Sequence, residues 1–224
     1  MAEVEVAVGE VALAPGPKPG LDRRRYFDIM GAAPTAVTIV TTLDEAERDE
    51  PDGSDDGPGR GRPGRPVGLT VSAVTSISAE PPILAVCLDV RSRTLPVVLR
   101  AGRFAVNFLR GDRAALAERF ASPVADRFAG VTWRPGTLGA PILVDDALAH
   151  AECRLEGTIA VGDHVVVLGL VVAGAPPPPG SRPLMYFRHG FSAWAGPVED
   201  RRAGEGTEAA ARDREAGTTG GGLA

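Results

Sequence analysis

The chain has 224 residues with 28 Gly and 20 Pro, about one residue in five, too much for a helical bundle and too aperiodic for collagen. At about 100–200 residues per domain the length allows one domain with appendages, and with aromatics at 5% its core must come from Val, Leu, Ile and Ala, of which the β-branched residues favour strands. Of the formal charge of −5, residues 44–66 carry eight acids against four Arg and residues 196–224 six against four; without these and residues 1–20 the rest holds 12 acids and 15 Arg, a net +3, short of the basic stripe a nucleic-acid surface needs but suited to a small anionic ligand.

Residues 1–20 end in PGPKPG and bear Glu3, Glu5 and Glu10 where a secretion signal would be basic, so a disordered tail on a cytoplasmic protein is expected. The domain then runs over 21–194. Asp22 is placed to cap a short helix ending at Met30, and a strand is expected over 36–43. The stretch 44–66, DEAERDEPDGSDDGPGRGRPGRP, has no face to bury and reads as a disordered loop inside a hairpin. Strands are expected over 67–75 and 83–89. Ser92 or Thr94 caps a helix with Pro96 in its first turn and Gly102 just past its end. A strand over 104–109 follows, then a helix over 114–120 capped by Asp112. Strands over 147–161, 165–173 and 184–187 complete the domain, and 195–224 is a second disordered tail. Many strands, few helices and little βαβ alternation describe a mainly β fold, a barrel or sandwich. The longest apolar run, over 165–175, falls short of the ~20 residues that span a bilayer. Cys87 and Cys153 lie in apolar strands without metal-ligand spacing and are expected as buried free thiols.

Residues 59–64, GRGRPG, match the dinucleotide fingerprint in form. That fingerprint needs a strand before it and a helix after it, and here acidic loop precedes and strand follows, so it carries no site. Along 68–73 the strand period puts Gly68, Thr70 and Ser72 on one face and Leu69, Val71 and Ala73 on the core face; a flat polar ligand could approach such a hydroxyl face, which is equally that of a solvated strand. At 90–96, VRSRTLP, capping hydroxyls and two arginines converge on a helix N-terminus, where backbone N–H groups and the helix dipole favour phosphate; the same residues are equally those of an ordinary Ser/Thr cap with solvated arginines. Asn107 sits on the opposite strand face from Phe104, Val106 and Phe108. An unpaired buried amide costs about 1–3 kcal/mol, so it needs a partner in the protein or in a ligand.

Taken in order, GLTVSAVTSISAEPP, VCL, SRTL, GRFAVNFL, DRFAGV, EC, GDH and YFRHGFSAW resemble the flavin reductase-like family, whose fold is the FMN-binding split barrel. The resemblance spans about residues 25–194 and implies a flavin ring (FMN or FAD) against Thr70, Val71 and Ser72. It implies a flavin phosphate against Ser92, Arg93 and Thr94, and Asn107 beside the ring or ribityl chain. His164, in the GDH motif, is implied to act catalytically near nicotinamide or flavin, while Asp126, Arg127 and Phe128 would cover the flavin's other face. The expected protein is a homodimeric NAD(P)H:flavin oxidoreductase, taking NADH or NADPH as co-substrate and supplying reduced flavin to a partner monooxygenase, with neither nucleic acid nor membrane as partner. A flavoprotein that keeps its flavin to oxidise or hydroxylate a small substrate, and a non-catalytic flavin binder, are the alternatives. Two features depart from the family: the long 44–66 insertion, and Phe191 where Tyr is common. His150 and His189 are expected to be packing residues.

Overall fold

A computed structural model describes residues 20–45 and 64–196. The tails expected at 1–20 and 195–224 and the loop expected at 44–66 lie, apart from their edges, outside the described residues. Seven antiparallel strands form the main sheet: β2 (Thr38–Asp44), β3 (Arg65–Val71), β4 (Val74–Ala79), β5 (Pro82–Asp89), β6 (Arg103–Leu109), β9 (Ala147–Val161) and β10 (His164–Ala175). Their order across the sheet is β3-β2-β6-β9-β10-β5-β4. β3 and β4 are therefore opposite edges, yet only Ser72 and Ala73 separate them along the chain. A two-residue link cannot span a flat sheet of seven strands about 4.8 Å apart. The sheet must curl until its edges meet, and the result is a barrel split between β3 and β4.

The expected strand over 67–75 is thus two strands with a corner at Ser72–Ala73, where Thr38 Oγ1 donates to Val71 O (2.7 Å) and Cys87 N to Ala73 O (3.0 Å). β2 pairs with β3 from Thr38↔Val71 to Asp44↔Arg65, so the flanks of the acidic stretch form the expected hairpin. Short β1 (Thr35–Ala36), β11 (Leu184–Phe187) and β12 (Gly190–Ala193) make a second sheet beside the barrel, and β7 (Arg134–Pro135) pairs with β8 (Pro141–Ile142).

Among the described residues there are three short helices, one before the first strand and two between strands. In α1 (Arg23–Met30) the Asp22 carboxylate accepts from Arg25 N (3.0 Å), as its sequence predicts. α2 (Thr94–Ala101) starts where Ser92 Oγ accepts from Thr94 N (3.1 Å), and Gly102 ends it at φ 62°, a left-handed position that suits glycine. At α3 (Ala114–Ala121) the expected Asp112 cap is absent. That carboxylate faces the guanidinium groups of Arg113 (3.0 Å) and Arg110 (3.4 Å); two local charges outcompete a backbone N–H for it.

The barrel core joins Val40, Val86, Leu88, Val98, Phe104, Val106 and Val167, all fully buried, with Cys153 among them. Burial pushes the Cys153 thiol up to about 12, the Glu152 carboxylate adding to the rise, so the thiol is inert at neutral pH. Both cysteines are free. Inside β10, Gly169 leaves room for an aromatic ring: a Cβ there would lie 2.5 Å from Phe104 Cζ and 2.8 Å from Cys153 Cβ. Gly169→Ala is expected to cost about 1–3 kcal/mol through overpacking, read as a lower midpoint in thermal unfolding. An unchanged midpoint would mean that the Phe104 ring swings aside freely.

Candidate functional site

The N-terminal half of β3, the start of α2 and the segment after α3 enclose a cleft of about 430 Å³, within the roughly 300–1,000 Å³ that houses small ligands. Three arginines line it, Arg65, Arg93 and Arg127, against two aspartates, Asp44 and Asp126. The carboxylates already have donors: Asp44 pairs with Arg100 (3.2 Å) and Asp126 accepts from Phe128 N (2.9 Å).

Arg127 is held by backbone rather than by a counter-charge. Its Nε and Nη2 donate to Ser122 O (3.0 and 2.7 Å) and its Nη1 to Gly68 O (2.8 Å), which ties the loop after α3 to β3. Burial, and after it the charge of Arg93, lower the pKa of Arg127 from its ordinary value. Both causes disfavour the cation, which nonetheless stays charged, since arginine is not deprotonated in proteins. A bound anion would offset both.

Of the residues singled out in the sequence, Arg93 and Thr94 line the cleft and Ser92 caps the turn at its edge. The second arginine of that turn turns away. Arg91 makes a fork on Asp89, with Nε at 3.0 Å and Nη2 at 2.7 Å, and holds that carboxyl well below the usual range. Thr70 also has an internal role, its hydroxyl donating to Ala117 O of α3 (2.6 Å). Val71 is buried in the core, so a ligand passing this strand meets Val71 through its backbone. Ser72 sits half-buried at the seam between β3 and β4.

Asn107 lies apart from the cleft. It is fully buried, its Nδ2 faces Thr41 Oγ1 (3.1 Å), Ile39 O (3.2 Å) and Pro141 O (3.4 Å), and its Oδ1 accepts from Leu143 N (3.0 Å). The partner that its burial demands is the protein itself, and the amide fastens the segment after β8 onto the barrel. His164 opens β10 in register with Asp89. Its Nδ1 lies 2.7 Å from Asp163 Oδ1, its side chain is 44% exposed, and Val90 N donates to Asp163 O (3.1 Å). His164 is not among the residues that line the cleft. Reasoning from sequence did not bring Arg65, Val97 or Val124 to this cleft; they come from separate segments and share no motif.

Residues 30–195 match the sequence profile described as "Flavin reductase like domain". The chain belongs to the flavin reductase-like family. As a flavin reductase-like domain it is 46% identical over 81% of its length to a flavin reductase (NADH) of Kitasatospora aureofaciens, covering 86% of that protein. It is 34% identical over 75% of its length to the reductase subunit HsaB of a flavin-dependent monooxygenase of Rhodococcus jostii, covering 76% of it. Among solved structures it is similar to the NADH:FAD oxidoreductase SgcE6 of Streptomyces globisporus in complex with NAD and FAD fragments, at a TM-score of 0.67 and 26% identity, covering 80% of this chain and 96% of that one. The mainly β split barrel expected of the family is the observed architecture.

Proposed function

We propose that this flavin reductase uses Arg93 and the start of α2 to hold a flavin by its phosphate, and delivers reduced flavin to a separate monooxygenase. The observation that carries the reading is the cleft lined by both Arg93 and Arg127, neither of which has a carboxylate partner among the described residues. The flavin, FMN or FAD, supplies the redox chemistry, accepting a hydride from the nicotinamide C4 of NADH or NADPH. The chain's part is binding and orientation. Arg93 and the N-terminus of α2 fix the phosphate, Ser92 fixes the turn that aims them, and the backbone of Thr70, Val71 and Ser72 carries the ring along the seam.

His164 is the titratable group we place beside the nicotinamide. Its hydrogen bond holds the Asp163 carboxyl below the usual range, so an ionised carboxylate faces Nδ1 and leaves Nε2 as the ring nitrogen turned to a ligand. His164→Ala is expected to lower NAD(P)H-dependent flavin reduction about tenfold, with flavin affinity moving less than about twofold. An unchanged rate would return His164 to a surface role.

The homodimer belongs to the same proposal. α1 has no buried residue, and Tyr26, Phe27, Ile29 and Met30 are each 44–61% exposed on its eight residues. Four exposed apolar side chains on one short helix call for a cover, and a second copy of the chain supplies one.

The deciding experiment is oxidation of NADH and NADPH by the purified protein with added FMN, FAD or no flavin, together with its visible spectrum. Oxidation that depends on added flavin is the expected result. Flavin binding without NADH or NADPH oxidation would make the protein a binder, and substrate oxidation by a retained flavin would make it a flavoprotein oxidase or hydroxylase.

A further inference from the structure

The turn that carries Arg93 and the turn that carries His164 are bonded to each other. β5 ends at Asp89 and β10 begins at His164, and these two residues are paired in the antiparallel register. The β9–β10 hairpin closes over Gly162 and Asp163, with Gly162 at φ 60°, the left-handed position that a tight hairpin gives to glycine. Asp163 then bonds in two directions. Its carboxylate lies 2.7 Å from His164 Nδ1, and its carbonyl accepts from Val90 N (3.1 Å), the first residue past β5. On the β5 side the Asp89 carboxylate accepts from Arg91 N (2.8 Å), Nε (3.0 Å) and Nη2 (2.7 Å), while Asp89 O accepts from Ser92 N (2.9 Å). Ser92 Oγ in turn accepts from Thr94 N (3.1 Å). Hydrogen bonds and two peptide links thus lead without a gap from the His164 ring to the residues on either side of Arg93.

Resting on the reading that Arg93 holds a flavin phosphate and His164 stands beside the nicotinamide, we infer that Arg91 is a positioning residue for flavin reduction: its fork on Asp89 locks the turn at residues 89–94 to the β9–β10 hairpin and sets Arg93 and His164 as one unit. Nothing else in the structure asks for this side chain. It is 76% exposed, so it fills no core, and it is drawn away from the cleft. An exposed ion pair contributes little to stability. Three donors of one residue on a single carboxylate do something different, because they fix the path of the backbone between them, and bidentate geometry is what arginine supplies and lysine does not. A reaction between two bound partners depends on the spacing of the groups that hold them, and a rigid junction between the two turns preserves that spacing. The Asp89 carboxyl is held below its usual range chiefly by the Arg91 bonds and the Asp163 carboxyl by His164, so both acceptors are ionised at neutral pH.

The test uses Arg91→Ala, Arg91→Lys, Asp89→Ala and the double variant Arg91→Ala with Asp89→Ala, each in the full chain. Each is titrated with FMN and riboflavin by flavin fluorescence and assayed for oxidation of NADH or NADPH at saturating FMN. Arg91→Ala is expected to lower FMN affinity about fivefold and riboflavin affinity less than about twofold, to lower kcat about threefold, and to move the thermal midpoint less than about 2 °C. Asp89→Ala is expected to match it, and the double variant to lose no more than either single one, because both changes break the same fork. Arg91→Lys, which keeps the charge without the fork, is expected to resemble Arg91→Ala. Wild-type affinity and kcat in Arg91→Ala, equal losses for FMN and riboflavin, additive losses in the double variant, or full activity in Arg91→Lys would each overturn the inference. The flavin reading is separately checked by Arg93→Ala: if that variant keeps wild-type FMN affinity, or if the wild-type protein binds no flavin, the reading itself fails.

Discussion

Arg93→Ala is expected to weaken FMN binding about ten- to a hundredfold and riboflavin binding less than about twofold. The substitution removes one charge-assisted contact to the phosphate, worth roughly 1.5–3 kcal/mol, at about 1.4 kcal/mol per tenfold. Arg91, two residues away, does not compensate, because its fork on Asp89 draws it out of the cleft. Arg127 remains, so binding is weakened rather than abolished. The check is a fluorescence titration of both flavins against both proteins, and an equal loss for FMN and riboflavin would remove the phosphate from this end of the cleft.

Asn107→Leu should be among the most destabilising single changes in the barrel, at about 3–4 kcal/mol. It strands Leu143 N without an acceptor and takes the amide donor from Thr41 Oγ1 and from the Ile39 and Pro141 carbonyls, and each buried unmet group costs about 1–3 kcal/mol. For a domain of this size that is a fall of roughly 6–16 °C in the unfolding midpoint, measurable by calorimetry. A fall of less than about 2 °C would mean that water reaches the pocket and replaces the amide. If the variant is folded at low temperature, its FMN affinity separates the two accounts of this residue: a structural amide leaves it within about twofold of wild type, and a flavin contact does not.

The sequence made some of this legible and hid the rest for identifiable reasons. The long apolar runs of β9 and β10, the hairpin around the acidic stretch and the caps at Asp22 and Gly102 are local signals that survive into the structure. The corner at Ser72–Ala73 was hard to see because no Gly or Pro marks it, and only the adjacent apolar pair Ala73–Val74 interrupts the alternation of TVSAVT. Thr70 could be placed on a polar face by counting, but the carbonyl of Ala117 that its hydroxyl meets comes from α3, 47 residues away. The same holds for Asn107 and Leu143, 36 residues apart. Arg93 could be singled out from its helix start, and Arg127 only from the resemblance; that the two line one cleft follows from the loop after α3 being tied to β3 by Arg127.

The corner at Ser72–Ala73 also bears on what keeps the barrel shut. Neither residue belongs to any strand pairing, so opening the chain at that bond would erase no rung of the sheet. Every ladder from β3 through β6 and β10 to β4 would survive, while the covalent clasp that obliges the first and last strands to lie together would be gone. Shape and hydrogen-bonded connectivity are thus separately encoded in this molecule: the ladders fix which strands are neighbours, and one peptide corner decides that the sheet becomes a cylinder instead of a ribbon.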